Sequence, residues 1–394
     1  MRIAVSGVGV VSSIGIGVLE NMSSLREGRS GISMSAELLQ TAHRLPVGEI
    51  RQTDSELCAM LGLPASCHMS RTALLGMLAA KEALADASVA DGLRIGLVSA
   101  TSVGGMDLTE HFFKEYMEDP SAGRLRDVKM HDCAASTKAI ARYCGIKGYS
   151  TTISTACSSA ANAIMFAARL IRHGIVDCVV AGGTDALSAF TLNGFKSLMI
   201  LDEEPCRPFD EDRKGLNLGE GAGYVVLQRE DTLSKEAYCC LSGYANFNDA
   251  YHQTASSPSG EGGYLAMKGA LDKAGISPED VSYVNVHGTG TGNNDASEGA
   301  ALKRLFGESV PKFSSTKGFT GQTLAAAGGI EAVFSVMALS KGCIYPDLRF
   351  RNPISGLGLT PETTYQESCG MENVLTNSFG FGGNCTSLVF SRKR

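Results

Sequence analysis

Four stretches of the sequence join small residues to groups that can attack, donate or accept. In TTISTACSSAANAIMFAARLI, Cys157 follows a β-like run and opens a stretch that is apolar on nearly every face as far as Arg169, with Gly174 as its stop. A thiol opening such a helix feels the partial positive charge of unpaired N–H groups, which favours the nucleophilic thiolate. For the other eleven cysteines, the better reading is a small buried hydrophobe. The small neighbours Ala156, Ser158 and Ser159 set Cys157 apart.

His287 ends the strand-like VSYVNV and begins HGTGTGNND, which places its imidazole at the C-terminal end of a buried strand, where α/β proteins hold ligands. Alone it reads as a core histidine. With Cys157 it becomes an acid/base candidate. Glycines at 288, 290 and 292 let a substrate approach the backbone, and Thr289 and Thr291 offer hydroxyls to an extended polar chain. In NSFGFGGN, glycines 380, 382 and 383 surround Phe379 and Phe381; their N–H groups suit an oxyanion and a phenylalanine suits a gate, although a Gly-rich hairpin explains the same residues. FSSTKGFTGQTLAAAGGIEA (313 to 332) sets Lys317, Gln322 and Glu331 in a run otherwise small or apolar, an ammonium and then a neutral amide at the start of a small-residue helix.

These residues need elements to hold them. Short apolar runs recur at 2 to 7, 94 to 100, 177 to 183, 223 to 228, 281 to 288 and 373 to 380, and suit strands buried on both faces. Helical patterns lie between them at 70 to 87, 157 to 174, 262 to 275 and 295 to 307, so the order is α/β. RIAVSGVGV at the start is echoed by YCCLSGYAN at 238 to 246, which divides the chain into halves 1 to 235 and 236 to 394 at the polar REDTLSKE. Residues 201 to 215 and 253 to 263 read as long loops.

Composition narrows the function classes. A net charge of −6 argues against a general nucleic-acid surface. The 46 glycines among 394 residues imply tight loops and close backbone approaches. Twelve cysteines without a CxxC pair or metal-ligand spacing imply no metal centre and a reduced, cytoplasmic protein. No apolar run approaches the ~18 residues of a membrane span, and the N-terminus reads as a buried strand rather than a secretion signal, because Gly7 and Gly9 interrupt it. GVGVVS lacks the third glycine of a dinucleotide loop. The spacing of 130 residues between Cys157 and His287 matches papain-like proteases, but no CGSCW-like motif and no tryptophan accompanies it.

Together STACSSAANA, GGTDALS, CRPFDEDRKGLNLGEGAGYVVL, DAYHQTASS, HGTGTGNNDASE, SSTKGFTGQTLAAAGGIEA and NSFGFGGN resemble the β-ketoacyl-acyl-carrier-protein synthases of fatty-acid and polyketide synthesis, the elongating group more than the initiating one. The resemblance runs from residue 1 to about 391. It implies a thiolase-like fold of two similar α/β halves stacked as five layers (α-β-α-β-α), in a homodimer or a heterodimer with another ketosynthase. It makes Cys157 the acyl-accepting nucleophile, His287 the first active-site histidine, Lys317 the lysine that orients the second catalytic position and Glu331 the buried acid of that network. Phe381 becomes the gate whose N–H joins that of Cys157 in the oxyanion hole, with Phe379 beside the substrate; Thr289 and Thr291 grip phosphopantetheine. No cofactor of the chain's own is implied, since phosphopantetheine arrives on an acyl-carrier protein, which Arg71, Arg124, Arg126, Lys129, Lys196 and Arg207 are candidates to receive.

Two departures stand out. The family's second histidine, five residues after the lysine, is here Gln322, and the two glycines of the GFGG turn precede Asn384 and Cys385 where the family usually has Thr-Asn. A non-elongating partner subunit, like the chain-length factors that pair with a ketosynthase, is therefore the alternative to a condensing enzyme. Such subunits usually lose the cysteine that this chain keeps.

Overall fold

The computed structural model describes residues 1–393 apart from 35, 36, 40, 42, 65 and 66. Ten strands are central: β1 (Ile3–Ser12), β2 (Ile95–Ala100), β3 (Ser150–Ile153), β4 (Cys178–Asp185), β5 (Gly221–Arg229), β6 (Cys239–Asn248), β7 (Tyr283–Asn285), β8 (Lys312–Ser314), β9 (Asn373–Gly380) and β10 (Asn384–Ser391). They form one mixed sheet in the order β8, β7, β9, β10, β6, β1, β5, β4, β2, β3, with the two-residue strand Gly15–Ile16 added on β1.

That order repeats itself. β1 pairs antiparallel with β5, β5 antiparallel with β4, then β4 parallel with β2 and β2 parallel with β3. The second half runs β6, β10, β9, β7, β8 with the same succession of antiparallel and parallel pairs. The two runs join where β1 meets β6, at Ala4 opposite Cys240 and Val5 opposite Cys239. The sequence echo between the two Ser-Gly strands therefore marks equivalent places in two repeats.

Six helices layer the sheet: α1 (Arg71–Ala87), α2 (Cys133–Tyr143), α3 (Ser159–Arg172), α4 (Glu261–Ala274), α5 (Gly292–Phe306) and α6 (Ala327–Lys341). Residues of α1 and α2, such as Ala80 and Ile140, bury against Leu97, Val180 and Val226 on the outside of the first half. Met267 and Leu302 of α4 and α5 do the same against Val284, Leu375 and Val389 of the second. Between the halves, α3 and α6 share one core with Val5, Val225, Val374 and Phe390, which completes five layers.

A helix covered on every side has no polar face to keep. The segment Leu324–Lys341 accordingly reaches 18 residues at a hydropathy of 1.4, the length and polarity of a membrane span, which corrects the reading that no run comes close. It is 89% buried inside the protein and carries Glu331 at its middle, so it is the central core helix.

The Ser-Gly echo has a packing cause. A Cβ on Gly7 would stand 2.2 Å from the carbonyl oxygen of Ala83 and 2.7 Å from the Cβ of Ala87; one on Gly243 would stand 2.1 Å from Ala270 O and 2.8 Å from the Cβ of Ala274. In each half a helix lies backbone to backbone on its strand, and Ala faces Gly so that it can. Gly7→Ala and Gly243→Ala should each cost about 1–3 kcal/mol, as overpacking does, and lower the urea midpoint. Gly194→Ala, with nothing within 4 Å, should be neutral or stabilising by up to ~1 kcal/mol. Equal midpoints in all three variants would remove the close-packing account.

Candidate active site

Cys157 sits in a sharp turn between β3 and α3. Ala156 has φ 53, a left-handed conformation that a non-glycine residue adopts only when its surroundings hold it. Here Thr155 N donates to Ser159 Oγ (2.7 Å), Ser159 N to Ala156 O (3.1 Å) and Ser158 Oγ to Thr155 O (2.7 Å). The helix begins at Ser159, so Cys157 stands two residues before it instead of opening it. The expected lowering of its pKa is also corrected: burial pushes the thiol up to about 11, Lys317 pulling it down and Glu331 and Asp185 adding to the rise.

His287 lies two residues beyond β7. Val286 N still donates to Ser314 O of β8 (3.1 Å), and beyond it the backbone donors turn to a side chain: His287 N and Gly288 N each donate to Glu298 of α5 at 2.8 Å, and Asn377 Nδ2 donates to the same carboxylate at 3.0 Å. Asp295, one turn earlier on α5, accepts from Thr289 N (3.0 Å) and Gly290 N (3.1 Å). Burial raises both acids, Glu298 to about 7. The Thr289 and Thr291 hydroxyls are 2.9 Å apart, and Thr291 also caps α5 by accepting from Asn294 N.

Lys317 is 1% exposed and fully engaged. Its ammonium donates to Glu331, to His287 O (2.6 Å) and to His287 Nδ1 (3.2 Å). An ammonium has no lone pair, so Nδ1 must accept, and the proton of the neutral ring belongs on Nε2. Burial, then Lys317, hold the imidazole well below its usual pKa. Burial raises Glu331 to about 7 while the Lys317 charge opposes it.

Gln322 follows the short helix Lys317–Thr320 and precedes α6. Its backbone is fixed on both sides, N donating to Asn217 O (2.8 Å) and O accepting from Gly219 N (3.0 Å). The side chain is 2% exposed and its Oε1 has no partner among the described residues.

One cavity of about 280 Å³ brings Cys157, His287 and Gln322 together, with Thr289 and Thr291 along it and Phe379 and Phe381 at its side. Lys317 and Glu331 do not line it; they stand behind His287. Phe379 is 5.8 Å from the His287 ring, and Phe381 stacks at 5.9 Å on Phe195, from the helix Ala189–Ser197. A Cβ on Gly380 would be 3.1 Å from Cys157 N, so the GFGG backbone lies against the amide of the cysteine. The turn is a hairpin as well, between β9 and β10.

Several participants were not singled out from the sequence. Glu298 and Asp295 lie in the quoted HGTGTGNNDASE, but their role depends on which backbone N–H groups face them. Asp185, in GGTDALS, accepts from Ser102 N and, across the halves, from Ala325 N (2.8 Å). Lys214 stands exposed at the cavity mouth. Conversely, Arg71 leaves the set of surface cations: it is 8% exposed, donating to Glu220 and Asp54 at 2.8 Å, so no partner can reach it. Arg207 is held by Glu204, whereas Arg124, Arg126, Lys129 and Lys196 are exposed. Among the described residues, no group of His, Cys, Asp and Glu could hold a metal ion.

Known proteins resemble the chain along its whole length. Over 418 residues the chain is 34% identical to 3-oxoacyl-(acyl-carrier-protein) synthase 2 of Vibrio cholerae serotype O1, covering 99% of each. It superposes with a TM-score of 0.92 on the ishigamide ketosynthase/chain length factor, at 27% identity over 100% of this chain and 99% of that one. It superposes with a TM-score of 0.87 on a ketosynthase in complex with its chain length factor from Xenorhabdus doucetiae, at 32% identity over 100% and 98% of the two chains. The fold is the thiolase-like ketosynthase fold. Residues 1–232 match the β-ketoacyl synthase N-terminal domain and residues 238–351 its C-terminal domain, and the chain belongs to the β-ketoacyl synthase family.

Proposed function

We propose that the protein is a condensing acyltransferase, a 3-oxoacyl-(acyl-carrier-protein) synthase that joins an acyl thioester to malonyl-carrier with loss of carbon dioxide, in fatty-acid or polyketide synthesis. The observation that carries this reading is the single cavity holding a thiol, an imidazole Nε2–H and an amide beside a glycine backbone.

In the first step the Cys157 sulfur attacks the thioester carbonyl. Its proton goes to the departing pantetheine thiolate, and the N–H groups of Cys157 and Phe381 hold the oxyanion. In the second, the bond between the malonyl carboxylate and Cα breaks, leaving an enolate whose oxygen accepts from His287 Nε2–H and the Gln322 amide. The enolate carbon then attacks the acyl-Cys157 carbonyl, and the C–S bond breaks to return the thiolate. Lys317 positions His287 and fixes its tautomer, and Glu331 neutralises Lys317. Gln322 occupies the place of the second histidine. It donates a hydrogen bond but cannot take up a proton or a positive charge, so His287 bears most of the enolate stabilisation and condensation is slower or more specialised than acylation.

Residues 1–235 then form the half that supplies the nucleophile, and 236–394 the half that supplies His287, Lys317, Gln322 and the GFGG turn. The physiological partner is an acyl-carrier protein, with Lys214 at the cavity mouth and the exposed Lys196, Arg124, Arg126 and Lys129 as candidates for its cationic landing. Phe113, Met117, Phe190 and Met199 are exposed, and Met199 also lines the cavity. That apolar surface fits a second ketosynthase-type subunit. With twelve free thiols, the protein works in a reducing cytoplasm. The second reading, a non-elongating partner subunit, draws on Gln322 and on the likeness to ketosynthase/chain length factor complexes; Cys157 inside the cavity favours the enzyme.

Acyl-carrier protein should leave one acyl adduct on the intact mass, absent in Cys157→Ala; a wild type that never acquires it across several chain lengths sinks the proposal. Gln322→Ala should slow malonyl decarboxylation and condensation by up to ~10²–10³, the cost of an oxyanion donor, with acylation nearly unchanged and Gln322→His at least as fast as wild type. Equal condensation rates in wild type and Gln322→Ala would deny the amide a catalytic role. With the thiol held at about 11, Cys157 alkylation by iodoacetamide should rise about tenfold per pH unit from pH 7 to 9; a plateau near neutrality would mean an activated thiolate instead.

A further inference from the structure

Asn384 follows the GFGG turn as the first residue of β10. Its Oδ1 has three neighbours: Ser158 Oγ at 2.7 Å, Asn162 Nδ2 at 2.8 Å and Asn246 Nδ2 at 2.7 Å. An amide oxygen has two lone pairs, so this one has no capacity left for a substrate. Its neighbours come from the turn that carries Cys157, from the first turn of α3, and from β6. Ser158 shares its single proton between Asn384 Oδ1 and Thr155 O, both at 2.7 Å. Asn162 also donates to Thr155 Oγ1 (2.9 Å) and accepts from Thr386 Oγ1 (3.0 Å).

On the other side of Asn384 the chain is held differently. Gly382 N donates to Gln253 O (2.7 Å), Asp249 N to Gly383 O (2.7 Å) and Asn248 Nδ2 to Gly382 O (2.8 Å). Gly382 and Gly383 have φ of 80 and 77, two successive left-handed residues between the two sets of anchors. The Phe381–Gly383 segment thus leans on the loop after β6, while the residue that ends it is tied to the turn of the cysteine.

We infer that Asn384 is a positioning residue for acyl transfer to Cys157: its side-chain oxygen fixes the GFGG turn relative to Cys157. This rests on Cys157 being the acyl acceptor. Without the oxygen, three donors lose their common acceptor and the Phe381 N–H drifts from the line of the Cys157 carbonyl adduct. A misplacement of about 1 Å costs on the order of 10²-fold in rate.

The test compares wild type, Asn384→Ala, Asn384→Asp, which keeps an acceptor in place, and Ser158→Ala, which cuts only the tie next to Cys157. Three readouts are taken on each: the single-turnover rate of Cys157 acylation, hydrogen exchange of the peptides covering 379–385 and 155–160, and the thermal midpoint. Asn384→Ala should lose on the order of 10²-fold in acylation rate at saturating acyl-carrier and exchange faster in both peptides, with Asn384→Asp recovering most of the rate and Ser158→Ala moving in the same direction as Ala. Wild-type acylation and exchange in Asn384→Ala would overturn the inference. So would a folded Asn384→Asp as slow as Ala. If Asn384→Ala does not fold, the Asp and Ser158→Ala pair decides by the same criteria. If wild type itself is never acylated, the proposed function falls, and the positioning role stands or falls on hydrogen exchange alone.

Discussion

The arrangement depends on one buried charge. Removing an ammonium from water costs several kcal/mol even after relaxation, and that is recovered only where good acceptors surround it. Lys317 finds them on Glu331 of α6 and on both the carbonyl and the ring of His287 after β7, while it stands itself after β8. Three elements of the second half must converge for Lys317 to be bonded at all. The same contact sets the tautomer of His287 and turns Nε2–H toward the cavity. Loss of Glu331 would leave the ammonium buried without its counter-charge, at roughly 3–5 kcal/mol. Stability and chemistry are therefore enforced by the same bonds.

The two halves use equivalent places for different ends. After β3 the chain makes the Cys157 turn and enters α3; after β8, the matching strand, it carries Lys317 and Gln322 and enters α6. The small residues of both central helices let them sit side by side between the sheet halves, and Asp185 of the first half pins the entry to α6 by accepting from Ala325 N. The Cys157 turn and the segment that carries Lys317 and Gln322 thus meet at one central layer, although they come from separate repeats.

What the sequence made legible was whatever depends on local pattern. Ser70 caps a helix that runs as its periodicity says, to Ala87. The run 281 to 288 was too long by both ends, because β7 pairs over only Tyr283–Asn285 and the N–H groups of His287 and Gly288 go to Glu298, a competitor eleven and ten residues away that a strand pattern does not reveal. Cys157 was found by its small neighbours, but its placement ahead of the helix comes from the left-handed Ala156, and the direction of its pKa from burial; neither is written in residue types. Arg71 was misread as a surface cation because its partner Glu220 is 149 residues away. Asn384 was quoted within a motif, yet its part emerges only when three separate elements meet at its oxygen.

The central layer also bears on how the chain is made. Strands β4 and β5 belong to the first half, but part of the face they turn inward is covered by α6, which ends at Lys341. A ribosome adding about 5–20 residues per second needs roughly 5–20 s to pass from the end of the first half to that point. Throughout that interval the emerging N-terminal half carries Val225, Leu227 and their neighbours without the helix that will bury them. A nascent chain of this design exposes an apolar sheet face by construction until α6 arrives.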